Sequence, residues 1–273
     1  MTPEMFGSVP KFGLGTFRLK DQVVTDSVRM ALELGYRAID TAQGYGNEAE
    51  IGRVLGESGV SRDALFITTK IMPPNYGRDR LVDSLRESVH KLGVDAVDLT
   101  LIHWPAPKGE VEPEEYLTAL AEAQAQGLTK QIGVSNFTIE GLKQARELLG
   151  NVPIATNQVE IHPFLQNRAL VDFARHEGLH LTSYMTLAVG KVMDDEVMKD
   201  IAEQHQATPA QVALAWAMAQ GHSVIPSSTR RENLESNLKA LDLRLTEDDM
   251  ARIATLDRGE RLANPPALAP DWD

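Results

Sequence analysis

Residues 65–102 read LFITTKIMPPNYGRDRLVDSLRESVHKLGVDAVDLTLI and contain one complete structural unit. An apolar, β-branched run at 65–69 begins the stretch, and a second run at 97–102 ends it. Between the two runs, Leu81, Leu85, Val89 and Leu92 recur at helical spacing and would line one face of a helix. The stretch therefore predicts a strand, a helix and a second strand.

The same unit recurs along the whole chain, because six further apolar runs follow one another at intervals of roughly 25 to 40 residues. The runs are 14–17, 38–41, 131–134, 154–159, 180–184 and 223–226. Helix boundaries are marked as well: Thr208 and Pro209 predict an N-cap and first turn, Gly221 a C-terminus, and Thr246 with Asp249 a capping box. Strands that alternate with helices indicate an α/β protein with a parallel sheet, and eight units favour a closed (β/α)8 TIM barrel over an open sheet.

The length and composition agree with one such barrel. The chain has 273 residues, of which 42% are apolar and 24% charged, and a barrel of this class takes about 250 residues. No linker divides the chain, so we expect a single domain over residues 1–273. Residues 258–273 are rich in proline and alanine and are predicted to form an irregular C-terminal tail over the barrel mouth.

Charge and residue content exclude several classes of partner and chemistry. The 27 basic and 39 acidic residues give a net charge of −12, which disfavours nucleic acid and anionic membrane surfaces. The absence of cysteine excludes disulfides, thiolate metal sites and cysteine nucleophiles. No apolar stretch is long enough to span a membrane, and the N-terminus does not resemble a signal peptide. We therefore expect a cytoplasmic protein without a membrane partner, as a monomer or a weakly associating chain.

Four polar residues lie at or just beyond the ends of predicted strands. Asp40 ends the second run, Tyr45 lies in the loop after it, Lys70 ends the third run and His103 ends the fourth. In a parallel barrel these positions meet at one end, where active sites form. Taken singly, each has an ordinary structural explanation: a capping carboxylate, a lysine that reaches solvent, or a buried imidazole in the core.

Taken together, the four residues can donate a proton to a carbonyl oxygen. A phenol has a pKa of about 10 and is a poor acid at neutral pH, but a neighbouring ammonium group lowers that pKa. A buried ammonium needs a carboxylate partner, and an imidazole can hold the carbonyl oxygen. The histidines show no metal-ligand spacing, so no metal is predicted. Carbonyl reduction by such a site would need hydride from a bound cofactor, and the chain lacks the G-x-G-x-x-G pattern of a Rossmann domain.

Four further stretches connect these residues to a known family. They are DTAQGYGNE at 40–48, LIHWP at 101–105, GVSNF at 133–137 and NQVEIHP at 157–163. With them the sequence resembles the aldo-keto reductases, barrel enzymes that bind NADPH without a Rossmann domain. The resemblance extends from Gly13 to the C-terminal tail.

The resemblance implies a role for each member of the tetrad. Tyr45 would be the general acid, Lys70 the group that lowers its pKa, Asp40 the partner of Lys70, and His103 the group that orients the carbonyl. The implied reaction is hydride transfer to the carbonyl carbon, with protonation of the developing alkoxide by Tyr45.

The resemblance also implies a binding site for NADPH. Ser135, Asn136 and Gln158 would contact the carboxamide, and Tyr184 would stack on the nicotinamide. The remaining residues would line the ribose (Thr16, Asp40), the pyrophosphate (Met185, Leu187) and the adenosine phosphate (Ser228, Thr229, Arg230, Asn233, Asn237). The family usually has a lysine at the position of Ser227 and an arginine at that of Asn233, so two charged contacts are lost and NADH remains open as a cofactor.

The substrate is predicted to be a small carbonyl compound. Phe17, Trp104 and Trp272 would line the mouth beside Tyr45 and His103, and the short loops suggest an open site for small polar substrates. Within the family, the chain looks most like bacterial members that reduce 2,5-diketo-D-gluconate and methylglyoxal. Two alternative functions remain open. One is a regulatory barrel that binds the cofactor but has little turnover, and the other is an aldolase-type barrel with Lys70 as a Schiff-base lysine.

Overall fold

Eight parallel strands form the centre of the molecule in a computed structural model that describes residues 3–107 and 110–273. The strands of the described chain are β1 (Met5–Phe6), β2 (Val9–Pro10), β3 (Leu14–Gly15), β4 (Ala38–Asp40), β5 (Phe66–Ile71), β6 (Val97–Ile102), β7 (Thr129–Ser135), β8 (Ile154–Glu160), β9 (Leu181–Tyr184) and β10 (Ser223–Val224). Strands β3 to β10 lie side by side in chain order, and each neighbouring pair is parallel. All eight strands predicted from the sequence are thus confirmed.

The first and last strands of this sheet meet and close it into a barrel. Phe12 forms a parallel bridge with Val224. The amide of Gly13 donates to the carbonyl of Val224 at 2.9 Å, and that of Gly15 to the carbonyl of Pro226 at 3.1 Å. Gly15 is required here, because a Cβ atom at this position would lie 2.5 Å from the carbonyl oxygen of Ile225. The predicted (β/α)8 barrel is therefore confirmed.

Helices surround the barrel and cover the outer face of the sheet. They are α1 (Asp21–Leu34), α2 (Glu48–Glu57), α3 (Arg78–Leu92), α4 (Pro113–Ala125), α5 (Ile139–Leu149), α6 (Arg168–His176), α7 (Glu196–Gln204), α8 (Pro209–Ala219), α9 (Arg231–Leu238) and α10 (Glu247–Ala254). The four apolar residues predicted to line one face of α3 are all buried. Thr208 is the predicted N-cap of α8 and forms a capping box with Gln211, Thr246 forms the predicted capping box with Asp249, and Gly221 follows α8 with a positive φ of 85°. Local sequence signals thus determine where these helices begin and end.

The N-terminal hairpin was not predicted. Strands β1 and β2 pair antiparallel and precede the barrel, and each has only two residues, too few for an alternating pattern to be visible in the sequence. Strand β5 also extends to Ile71, so that Lys70 lies inside the strand and is fully buried. None of the described helices is long and apolar enough to cross a membrane.

Candidate active site

The four predicted catalytic residues come together at the carboxyl end of the barrel strands. Asp40 is the last residue of β4, Lys70 lies near the end of β5, and His103 directly follows β6. Tyr45 ends a short 3-10 turn over Gln43–Tyr45, which follows β4 and directs the chain back over the barrel. Because neighbouring parallel strands end at one edge, residues more than 60 positions apart in the chain meet here.

The ammonium group of Lys70 is the centre of the cluster. Its Nζ donates to Oδ1 of Asp40 in a short ion pair, to the backbone carbonyl of Thr41 at 2.9 Å and to the hydroxyl of Tyr45 at 3.3 Å. The second carboxylate oxygen of Asp40 accepts from Nε2 of Gln158 at 2.8 Å. Lys70 is fully buried and Asp40 nearly so, and the three acceptors compensate for the loss of water around the ammonium.

Burial and charge act on the pKa of Lys70 and Tyr45 in opposite directions. For Lys70, burial on its own lowers the pKa, but the charge and hydrogen bond of Asp40, together with Tyr45, outweigh it and the pKa is raised. For Tyr45, burial raises the pKa above its ordinary value and Lys70 lowers it only in part. The expectation that the phenol becomes acidic is therefore corrected: Lys70 offsets some of the effect of burial, and Tyr45 remains protonated at neutral pH.

His103 lies beside the phenol as a neutral imidazole. Its ring is 5.5 Å from that of Tyr45 between centroids, in an edge-to-face arrangement. Burial, and then the positive charge of Lys70, lower the pKa of His103 well below its ordinary value. Its Nδ1 is buried and has no hydrogen-bond partner within the described chain. A neutral imidazole can donate one hydrogen bond to a carbonyl oxygen without competing as an acid.

The residues predicted to contact the nicotinamide form one hydrogen-bonded group at the ends of β7, β8 and β9. Asn136 donates to the carbonyl of His103 at 3.0 Å and accepts from the hydroxyl of Tyr184 at 2.7 Å. Ser135 donates to the carbonyl of Gln158 at 2.8 Å. Gln158 uses its Nε2 for Asp40, which leaves its Oε1 as an acceptor for an amide ligand. Asn136 has a positive φ of 62°, a conformation that asparagine tolerates better than most residues.

The residues predicted for the ribose and pyrophosphate lie at the ends of β3 and β4 and in the loop after β9. The hydroxyl of Thr16 donates to the carbonyl of Asp40 at 2.9 Å and is buried. Met185 and Leu187 are half-buried in the loop after β9, which runs into a 3-10 segment over Ala188–Met193. Met185, Ala188 and Val189 all have positive φ values, between 48° and 54°. The backbone of this loop thus turns sharply at Met185 and again at the adjacent Ala188 and Val189.

The residues predicted for the adenosine phosphate lie between β10 and the last turn of α9. Thr229, Arg230 and Asn233 are exposed, Ser228 is half-exposed and Asn237 is buried. Arg230 is 3.7 Å from Glu232, a long and exposed ion pair that contributes little. Exposed hydroxyls and one weakly paired guanidinium fit a phosphate group.

The three aromatic residues predicted for the substrate lie around the mouth. Phe17 is 46% exposed, and its ring is 5.2 Å from that of Tyr45 between centroids. Trp272 of the C-terminal tail contacts Trp104 at 6.3 Å between centroids. The predicted tail thus lies over the barrel and contributes a wall next to His103.

Sequence reasoning missed the residues that hold the tetrad in place. Asn47 is buried, donates to the carbonyls of Thr16 and Leu19 at 3.1 and 2.9 Å, and accepts from Thr41 at 2.6 Å. It thereby ties the loop that carries Tyr45 to the loop that carries Phe17. Its place in the DTAQGYGNE stretch was the available signal. No group of three potential metal ligands occurs among the described residues.

Comparison with known proteins agrees with this geometry. A profile described as the Aldo/keto reductase family matches residues 11–258. The chain is 59% identical over 266 residues to methylglyoxal reductase DkgB of Escherichia coli O157:H7, and the aligned region covers 97% of this chain and all of the relative. It is 60% identical over 266 residues to the protein of the same name from Yersinia pestis, with the same coverage.

Solved structures show the same similarity. A provisionally assigned 2,5-diketo-D-gluconic acid reductase B superposes with a TM-score of 0.95 at 40% identity, covering 100% of this chain and 97% of that one. An aldo-keto reductase complexed with NADPH superposes with a TM-score of 0.89 at 31% identity, covering 97% of this chain and 91% of that one.

Proposed function

The chain belongs to the aldo/keto reductase family, and we propose that it reduces small aldehydes and ketones to alcohols with NADPH as the hydride donor. It is an oxidoreductase that acts on carbonyl groups. The observation that carries the proposal is the fully buried Lys70, which is hydrogen-bonded to both Asp40 and Tyr45 at the barrel mouth. We propose methylglyoxal and 2,5-diketo-D-gluconate as the substrate class, since relatives named for these compounds cover 97% and 100% of the chain.

The residues present fit a nicotinamide cofactor. Within the described chain Oε1 of Gln158 makes no hydrogen bond, and together with Ser135 and Asn136 it can pair with a carboxamide. Tyr184 offers an aromatic face fixed by its hydroxyl bond to Asn136. Ser228, Thr229 and Arg230 supply hydroxyls and one positive charge for a phosphate. NADPH, when bound, supplies hydride to the carbonyl carbon.

The chain's own residues then bind the carbonyl oxygen and donate a proton to it. The neutral imidazole of His103 holds the carbonyl oxygen by a hydrogen bond next to the hydroxyl of Tyr45. As negative charge develops on that oxygen, the Tyr45 hydroxyl donates its proton to it and the alcohol forms. The phenolate left behind is stabilised by the ammonium of Lys70 at 3.3 Å. Asp40 keeps Lys70 charged and in place.

The same observations argue against the alternative of a Schiff-base aldolase. That chemistry needs a neutral amine, whereas Asp40 and Tyr45 outweigh burial and raise the pKa of Lys70. A regulatory barrel differs from a reductase only in its low turnover, so the rate of NADPH oxidation with methylglyoxal separates the two.

Replacing Tyr45 by phenylalanine tests the proposal. We expect the oxidation of NADPH with methylglyoxal to fall by about 10² to 10⁴, the typical contribution of a positioned general acid. Binding of NADPH, measured by fluorescence quenching, should stay within about twofold of wild type, because the ring remains in place.

The matched control is Tyr36→Phe. It removes a buried hydroxyl that donates to the carbonyl of Leu234 at 2.8 Å, away from the tetrad, and it should retain turnover. Full activity of Tyr45→Phe would contradict the assignment of Tyr45 as the proton donor. A wild-type protein that binds NADPH but shows no turnover would instead favour the regulatory barrel.

A further inference from the structure

Glu160 is a buried carboxylate that the proposed reduction does not use. It is the last residue of β8 and has no exposed surface. Its Oε1 accepts from Nε2 of His162 at 2.8 Å and from the amide of Leu262 at 2.7 Å, and its Oε2 accepts from the amide of Ala263 at 2.7 Å. Burial by itself would raise the pKa of Glu160, but these bonds outweigh it and the pKa is lowered. The group is therefore a charged acceptor for two adjacent backbone amides.

Both amides belong to the C-terminal tail, residues 258–273. This segment contains no helix or strand of its own, so its position depends on contacts with the barrel. The amides of Arg258 and Glu260 donate to the carbonyl of Phe164 at 3.2 and 3.0 Å, next to the Glu160 contact. Glu160 and Phe164 thus hold four backbone amides of the tail within six residues, and two of the four bond to the Glu160 carboxylate.

Beyond this attachment the tail returns to the mouth of the barrel. Trp272 packs edge-to-face on Trp104, the residue after His103. The guanidinium of Arg261 lies 3.6 Å from the centre of the Trp272 ring, and the indole nitrogen of Trp272 donates to Asn264 at 2.8 Å. The residues on either side of the two that Glu160 holds therefore support the aromatic wall of the substrate site.

We propose that Glu160 is a positioning residue for substrate binding, which holds the tail by the amides of Leu262 and Ala263 so that Arg261 and Trp272 form a fixed wall beside Trp104. This inference rests on the proposed reductase function. The carboxylate acts through the tail and touches neither the reacting carbonyl nor the tetrad. Its effect is on the affinity for substrates large enough to reach the wall, and not on the chemical step.

Two substitutions remove the attachment from opposite sides. Glu160→Gln replaces one acceptor oxygen by a donor, which cannot pair with an amide N–H. Ala263→Pro removes one amide from the tail and leaves the barrel interior untouched. Glu177→Gln is the control, because this exposed glutamate pairs with Arg146 on the outer surface.

The first measurement concerns the tail alone and needs no activity. In both variants, hydrogen exchange at the amide of Leu262 and trypsin cleavage after Arg258 and Arg261 should speed up by about tenfold or more, as expected when a charged hydrogen bond is lost. Exchange in the barrel strands and in the Glu177→Gln control should match wild type.

The second measurement is kinetic, at saturating NADPH. The KM for 4-nitrobenzaldehyde should rise by about tenfold in both variants, while kcat and the KM for methylglyoxal stay within about twofold. The double variant should be no worse than the more affected single variant, because both act on one contact.

The outcomes separate the proposal from the function on which it rests. Faster exchange with unchanged KM values would limit Glu160 to holding the tail and overturn its role in substrate binding. Unchanged exchange in a folded Ala263→Pro or Glu160→Gln variant would overturn the attachment itself. A wild-type protein that reduces neither aldehyde would refute the proposed reductase function and, with it, the role of Glu160 in substrate binding. The hydrogen-exchange result would still decide whether Glu160 holds the tail.

Discussion

At the scale of single residues, burial affects the tetrad in a way that the sequence could indicate only in part. The presence of Lys70 near Tyr45 and Asp40 was predictable, because all three lie at strand ends. The degree of burial was not, since it depends on which side chains from distant strands cover the cluster. The backbone carbonyl of Thr41 and the amide of Gln158 complete the site through contacts that no local pattern encodes.

The pKa shifts predict how reduction depends on pH. Burial and the charge of Lys70 lower the pKa of His103 well below the ordinary value of histidine. Burial keeps the pKa of Tyr45 above the ordinary value of tyrosine. Neither group should therefore titrate near neutrality. We expect kcat/KM for methylglyoxal reduction to be flat between about pH 6 and 8 and to fall only in alkaline solution, when Tyr45 loses its proton.

A steady-state profile with saturating NADPH at constant ionic strength checks this expectation. An acid limb centred near 6.5 that disappears in His103→Gln would show that the imidazole titrates at its ordinary value. The assignment of a neutral imidazole to His103 would then be wrong, although the placement of the four side chains would be unaffected.

Arg230 predicts the preference between the two nicotinamide cofactors. It is the one positive charge among the residues proposed for the adenosine phosphate, and its partner Glu232 is exposed and 3.7 Å away. Arg230→Gln should weaken NADPH binding by about tenfold, since a charge-assisted bond to phosphate is lost, and should leave NADH binding nearly unchanged. Fluorescence titration with both cofactors measures this.

The neighbouring Arg231→Gln is the control for that change. Arg231 is bonded to Glu33 at 2.6 Å, so its loss should affect both cofactors equally and slightly. Equal weakening of NADPH and NADH in Arg230→Gln would contradict a phosphate contact.

At the scale of elements, the accuracy of sequence-based prediction followed the length of each pattern. Strands β4 to β9 have enough β-branched residues to be visible, and the N-caps of α8 and α10 use side chains that suit the position. The hairpin of β1 and β2 was missed because its two-residue strands carry no periodicity and, unlike the equally short β3 and β10, lie outside the repeat of strand–helix units. The attachment of the tail to Glu160 was missed as well, because it joins a side chain to backbone amides about 100 residues away.

The capping box of α8 makes a quantitative prediction. The hydroxyl of Thr208 accepts from the amide of Gln211 at 3.2 Å, and the side chain of Gln211 accepts from the amide of Thr208 at 3.0 Å. Thr208→Ala should lower the free energy of unfolding by about 1 to 2 kcal/mol, because the amide loses its partner at a partly buried helix end. Denaturant titration by circular dichroism measures the change.

Thr118→Ala provides the comparison for this substitution. Thr118 is exposed in the interior of α4, where alanine is the better helix former, so the same chemical change should be neutral or slightly stabilising. Equal destabilisation by the two variants would remove the capping box as the cause.

At the scale of the whole molecule, the barrel depends on a short closing seam. Strand β10 has two residues, and the sheet closes through the Phe12–Val224 bridge and a few backbone hydrogen bonds. The repeat of eight units predicted that a seam must exist, but not which residues stabilise it. His180 bonds to Ser223 of β10 at 2.8 Å, and the ring of Phe6 from the hairpin lies 6.0 Å from His180 between centroids.

The half-buried His180 and the buried His222 make this region sensitive to acid. Burial lowers the pKa of His180 to about 4 and, together with the nearby charges of His180 and Arg175, lowers that of His222 to about 4. In the unfolded chain both titrate near 6.5. Between about pH 6.5 and 4 the unfolded state therefore binds protons that the folded state does not, and the free energy of unfolding decreases as the pH falls.

Each histidine should contribute a loss of up to about 3 kcal/mol between pH 7 and 4, as follows from a shift of about 2.5 pKa units. Urea unfolding at a series of pH values measures it, and the double variant His180→Gln and His222→Gln should show a shallower decline than wild type, whatever its stability at pH 7. The exposed His90→Gln serves as the control and should keep the wild-type slope. If the double variant declined as steeply as wild type, acid would act elsewhere in the molecule, and the region of β9 and β10 beside the closing seam would not be its point of weakness.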